Sequence, residues 1–230
     1  MSDLERYAKI DTVMPREFVL LKGTGCRWKK CKFCDYYIDN SSNPFSVNRE
    51  VLSKVSGVYG VLDVINSGSA IELDDDTIKE IRRVADNKNI HTLWFECHWM
   101  YHSQLDKFAS NFPNQKVKFR CGAETFDKDV RNSWNKGIPD DIGAKEIAKY
   151  FSGICLLVGV EGQTKQEILD DLKFAKQYFE YYSVNLFVEN TTGLKRDNEL
   201  AQWFINEIAP SLRKEKGCEV LIDNTDLGVG

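Results

Sequence analysis

The chain has 230 residues, 42% of them apolar and 29% charged, with a net charge of −4; this is an ordinary balance for a globular protein with a sizeable core. No run approaches the roughly 18 apolar residues of a membrane-spanning helix, and a net negative balance does not favour gripping duplex or transfer RNA, which takes a basic face or patch. The opening Met1-Ser-Asp-Leu-Glu5 is charged and has no apolar stretch of the secretory kind, so seven cysteines point to a cytoplasmic protein, where disulfides are rare.

In chain order, Phe18-Val-Leu-Leu21 reads as the first strand, and residues 60–65 read as the second. Asp74-Asp-Asp-Thr77 caps a helix running to about Asn87, with acids where the helix dipole favours them. Residues 91–97 are a third strand, followed by a helix over 103–109. Residues 116–121 alternate polar and apolar as a fourth strand, and 140–150 read as helix. Residues 153–158 make a fifth strand. Thr164 opens an amphipathic helix to about Tyr181, with Ile168, Leu172, Ala175 and Phe179 on one face. Residues 184–188 are a sixth strand, 199–212 a last helix and 219–222 a seventh strand. Strands alternating with helices imply a parallel α/β sheet. Six or seven such units fit a partial or open relative of the (β/α)8 barrel, with a doubly wound open sheet as the alternative. With no linker or low-complexity tract, residues 1–230 read as a single domain.

In either architecture ligands bind where strands end. The first strand runs into Gly23-Thr-Gly-Cys26-Arg-Trp-Lys-Lys-Cys31-Lys-Phe33-Cys34. The later exits carry Asn66-Ser67-Gly68-Ser69; Glu96-Cys97-His98, with Tyr101 and His102 close behind; Gly122-Ala-Glu124; Gly159-Val-Glu161-Gly162-Gln163; Glu189-Asn190; and Asp223-Asn-Thr-Asp226. Polar loops are common, but this series coincides with a cysteine cluster.

Three cysteines separated by four and two residues can reach one metal centre together. Arg27, Lys29, Lys30 and Lys32 favour thiolates and offset a cluster's negative charge. Structural zinc takes four ligands, usually as two pairs, and a plant-type [2Fe–2S] site takes a fourth cysteine. Three ligands leave one iron open to something else. Cys121 and Cys155 lie inside apolar strands and read as core. Five Trp, nine Tyr and thirteen Phe supply either core or a pocket that stacks flat rings.

On these residues the chain resembles the radical SAM superfamily over roughly residues 17–190, and the resemblance implies an α/β fold, a partial (β/α)6-type TIM barrel. The resemblance implies a [4Fe–4S] cluster on Cys26, Cys31 and Cys34, with Phe33 as the aromatic before the third ligand. S-adenosyl-L-methionine (SAM) would chelate the open iron. The Asn66, Ser67, Gly68, Ser69 turn would meet its amino group, Glu124 its ribose, and the Gly159–Glu161 region its adenine. The spacing of four residues between the first two cysteines departs from the superfamily's usual three. The compact chain with this spacing and the Glu96-Cys97-His98 exit looks most like the stand-alone queuosine salvage lyases. That resemblance implies hydrogen abstraction from a modified nucleoside and release of its base. Cys97, Glu96 and His98 would be catalytic, Asn190, Asp223 and Asp226 substrate-binding, and a flavodoxin or ferredoxin the electron donor. A deazapurine ring-forming radical enzyme, an electron-transfer iron–sulfur protein and a zinc module are the other readings.

Overall fold

A computed structural model describes residues 4–230, so part of the charged opening, Met1-Ser-Asp, lies outside the described residues. The chain forms two compact units: Met1–Lys29, Tyr36–Phe119 and Thr225–Gly230 in one, Lys30–Asp35 and Arg120–Asn224 in the other.

The first unit holds β1 (Tyr7–Ile10), β2 (Arg16–Leu21), β3 (Val61–Asn66) and β4 (Thr92–Glu96). β1 runs antiparallel to β2, while β2, β3 and β4 are parallel. β2, β3 and β4 match the first three expected strands. β1 is an unforeseen addition, too short and too charged at its flanks to show in the pattern. α1 (Phe45–Ser53), α2 (Asp75–Asn87) and α3 (Leu105–Ala109) accompany them. α2 begins as expected, with the Asp74 carboxylate accepting the Thr77 N–H at 2.9 Å. α1 was masked by the Ser41-Ser-Asn-Pro44 run before it, which reads as loop. A 3₁₀ stretch, Trp99–Gln104, replaces the first turn expected of α3. At the amino ends of the strands Arg16 and Asp63 form a fully buried ion pair at 2.9 Å. Phe95, Phe108, Phe112 and Phe119 pack with ring centroids 5.1–6.2 Å apart.

β5 (Lys116–Glu124) enters the second unit at Arg120, and β6 (Gly153–Val158), β7 (Tyr181–Leu186) and β8 (Cys218–Leu221) follow. These strands are parallel throughout. The expected helix over 140–150 is reduced to α5 (Ala144–Ile147), because extended Gly143 serves as its N-cap. α4 (Lys128–Ser133) precedes it, started by the Asp127 carboxylate on the N–H groups of Asp129 and Val130. α6 (Lys165–Tyr178) starts at Thr164 as expected but stops three residues early. Phe179 is extended there, so it leaves the helical face and its ring lies 6.1 Å from that of Phe126. β7 accordingly begins at Tyr181, not at 184. The last helix is split into α7 (Asn198–Trp203) and α8 (Ala209–Leu212) by a π turn at Phe204–Ile208.

Candidate active site

In the first unit the site begins one residue beyond β2. Buried Asn48 of α1 grips the Lys22 peptide from both sides, accepting its N–H at 2.8 Å and donating to its carbonyl at 2.9 Å. The next N–H, of Gly23, donates to the Ser67 hydroxyl at 2.9 Å. Ser69 accepts the His98 N–H on its hydroxyl at 3.0 Å. Glu72 joins three segments: its carboxylate accepts the Arg27 N–H at 2.9 Å, the Ser69 N–H at 2.9 Å and the Tyr101 hydroxyl at 2.6 Å. The residue after Cys26, the β3 exit and the β4 exit are therefore tied to one carboxylate. Burial and Glu72 together raise the Tyr101 pKa well above its ordinary value. A side chain at Gly68 would force its neighbours to shift, since a Cβ would stand 2.4 Å from the Glu72 carboxylate and 2.8 Å from the Gly25 carbonyl. A cavity of about 630 Å³ beside Cys26 is lined by Arg27, Lys29, Tyr37, Glu72 and Tyr101 among others. The Trp28 ring stacks on His98 at 5.3 Å, and His98 Nδ1 accepts the Met100 N–H. Glu96 is half-buried, Cys97 fully buried and Asp226 exposed.

In the second unit, Lys30–Asp35 is held from two sides. Trp134 O accepts the Lys32 N–H at 3.0 Å, and the Asn135 amide donates to Lys30 O at 3.1 Å. From the β7 exit, the Asn190 amide donates to Phe33 O at 2.7 Å, and Thr191 donates from its N–H and hydroxyl to Asp35. Phe33 packs on the cluster of Trp134, Leu157, Val160 and Phe187. At the end of β5, Glu124 has φ +70°, outside the usual region for a side chain of its kind, beside a register shift at Gly122. Its carboxylate accepts a bond from Lys136 Nζ at 2.9 Å, and both residues are buried. Lys136 Nζ also lies 5.3 Å from the Phe33 ring centroid. Burial works to lower the Lys136 pKa, but Glu124, Cys31 and Cys121 outweigh it and hold the ammonium well above the ordinary lysine value. Behind this exit the Asp171 carboxylate accepts the Phe126 N–H at 2.7 Å, and burial pushes its pKa up to about 7. Gly159 is buried with φ +84°, its turn fixed by Gln163, which bonds Val160 N–H and Leu157 O. Glu161 is exposed, its N–H bonded to Lys195 O; Asp223 is exposed as well.

The expected residues thus divide. Cys26, Asn66, Ser67, Gly68, Ser69, Glu96, Cys97, His98 and Asp226 belong to the first unit; Cys31, Phe33, Cys34, Glu124, Gly159, Glu161, Asn190 and Asp223 to the second. Glu72, Lys136 and Asn135 are absent from the sequence reading, which placed Tyr101 close behind the third strand's exit without a role. Glu72 carried a signal, because Ser69-Ala-Ile-Glu72 has the S-x-x-E form of a capping box. Lys136 carried none. Cys26, Cys31 and Cys34 are partly exposed while the other four cysteines are buried. Three thiols on one nine-residue stretch have the soft donor chemistry that an iron–sulfur cluster takes, while among the described residues no three His, Cys, Asp or Glu side chains are gathered closely enough to hold a metal ion.

The chain is similar to the solved structure of a queuine lyase from Clostridium spiroforme bound to SAM and queuine. Identity is 40%, the TM-score is 0.94, and the match covers 99% of this chain and 100% of that one. It is also similar to methylornithine synthase (PylB), at 14% identity and TM-score 0.55 over 92% of this chain and 74% of that one; at that identity the likeness is one of fold. No family model matches the chain, and no curated protein matches it. The fold class is the expected α/β partial (β/α)6-type TIM barrel. Among the described residues no helix is long and apolar enough to cross a membrane.

Proposed function

The chain belongs to the queuine lyase family of radical SAM enzymes, and on that premise we propose that it releases queuine from queuosine by breaking the C–N bond between base and ribose. The observation that carries this reading is the near-full-length likeness to a queuine lyase structure holding SAM and queuine, joined to three partly exposed thiols on one loop. Cys26, Cys31 and Cys34 would hold a [4Fe–4S] cluster, and Asn66 to Ser69 with Glu124 would hold SAM. When bound, the two groups supply one-electron cleavage of the sulfonium and a carbon radical that abstracts hydrogen from substrate.

The chain's own residues do the rest. Glu72 fixes the residue after Cys26 within the first unit, and Asn190 fixes Phe33 within the second. Glu124, paired with Lys136, accepts ribose hydroxyls of the cofactor. Glu96, Asp223 and Asp226 pair with the amine and hydroxyls of the substrate, choosing which C–H faces the radical. Cys97 carries a thiol that relays a proton or hydrogen atom, and His98 orients it. An acidic chain suits an amine-bearing nucleoside better than a polyanionic tRNA. A cytoplasmic flavodoxin or ferredoxin would supply the electron.

The test is anaerobic reconstitution followed by turnover with SAM and queuosine, supplied as nucleoside and as nucleotide, with queuine and 5′-deoxyadenosine quantified. Both products are expected from wild type. Cys97→Ala should cleave SAM yet release little queuine. Cofactor cleavage without queuine from either substrate form would end the queuosine assignment, and wild-type turnover by Cys97→Ala would end the relay role.

A further inference from the structure

Lysine is seldom buried, and a buried ion pair adds little stability over an apolar pair of the same volume. Lys136 is nonetheless 7% exposed, and its ammonium meets Glu124 at 2.9 Å. The fold is built to keep it there. Lys136 follows α4 in a turn where Asn135 takes φ +58° and the Lys136 N–H closes on Arg131 O at 3.1 Å. The same turn holds the cysteine segment through Trp134 O and the Asn135 amide. Gly122 leaves the space: a Cβ there would stand 2.7 Å from the Glu124 carboxylate and 3.3 Å from Lys136 Nζ. Lys136 Nζ lies 5.3 Å from the ring centroid of Phe33, which stands between Cys31 and Cys34 in sequence.

We propose that Lys136 is a positioning residue that fixes the Glu124 carboxylate and places one buried positive charge against the Cys31–Cys34 segment, easing entry of the electron into the site. The proposal rests on the radical SAM reading but not on queuosine as substrate. A cluster on three thiolates is anionic, and a one-electron reductant makes it more so. A fixed cation stabilises the reduced form and thereby raises the reduction potential. The same ammonium fixes the carboxylate assigned to the cofactor's ribose, so one side chain serves both the charge and the geometry of the site.

Lys136→Met alone would leave the Glu124 charge buried and could unfold the unit. The deciding comparison is therefore Glu124→Gln against Glu124→Gln/Lys136→Met, a neutral pair of similar volume. Both are reconstituted anaerobically and titrated with a chemical reductant and mediators without nucleoside, and the reduced cluster is followed by electron paramagnetic resonance. At a fixed potential the reduced-to-oxidised ratio should fall at least tenfold when Lys136 is neutralised, about 59 mV for one electron. Lys136→Arg should keep the wild-type potential within about threefold in that ratio, while weakening SAM binding measured on the oxidised protein. Equal potentials with and without the Lys136 charge would overturn the proposal. A neutral pair that cannot hold a cluster would overturn it as well, because a tuning charge is dispensable for assembly. Failure to release queuine would leave these readings untouched.

Discussion

Each unit holds its own part of the cysteine loop by different physics. Around Cys26 the holding groups are hydroxyls, peptide N–H groups and one half-buried carboxylate, Glu72, that receives uncharged donors. Around Cys31 and Cys34 the frame contains a buried ammonium, a buried carboxylate and a second carboxylate, Asp171, behind the same exit. Bonds of the first kind net only about 0.5–1.5 kcal/mol each, because water can replace much of what they supply. Charges of the second kind have no such substitute, and a partner removed leaves an uncompensated ion in the interior. The first region is therefore expected to fail by loosening, the second by unfolding.

The largest effect is expected at the cysteines themselves. Cys26→Ala, Cys31→Ala and Cys34→Ala should each abolish the broad visible absorbance after reconstitution and the cleavage of SAM. Cys218→Ala, in a buried strand position, should retain both. One loop variant with full cleavage would remove that cysteine from the ligand set.

Next comes Glu124→Ala, which strands Lys136 and should lower unfolding free energy by about 3–5 kcal/mol in denaturant titration. Glu72→Ala, the corresponding cut in the first unit, should lower it by only about 1–3 kcal/mol. Equal losses would erase the contrast.

The pH dependence sharpens it further. Burial raises Asp171 to about 7 in the folded protein, against roughly 3.9 for an unfolded aspartate. Between those values the folded state binds more protons, so this group's contribution to stability falls as pH rises and is lost through pH 7. Asp171→Asn should flatten the curve by roughly 2–4 kcal/mol between pH 4 and 8. An unchanged slope, measured by thermal melts across that range, would mean that Asp171 titrates normally.

Gly68→Ala forces a methyl group against Glu72 and the Gly25 carbonyl. About 1–3 kcal/mol of destabilisation is expected, with faster cluster loss to a chelator than in wild type. The smallest effect is that of Tyr101→Phe, which removes one of three bonds to Glu72. It should cost about 0.5–1.5 kcal/mol and leave the visible spectrum intact; a bleached spectrum would show that the first region is less tolerant than its bonding implies.

The sequence by itself determined what depends on neighbours along the chain. The spacing of Cys26, Cys31 and Cys34, the Asp74 and Thr164 helix starts, and the alternation of apolar runs with helical segments all act within a few residues, so they were readable as pattern. Ser69 and Glu72 belong to the same class and were legible in principle. What only the tertiary structure decided are the contacts that close large loops. Asn190 reaches Phe33 across 157 positions and Thr191 reaches Asp35 across 156. Lys136, twelve residues beyond Glu124, is brought to it by the turn after α4. In the string Asn135-Lys136-Gly137 this lysine looks like an exposed turn residue, because nothing local to a lysine announces that it will be buried. Burial and charge pairing are properties of what packs around a side chain, and that is set when distant strands align their ends.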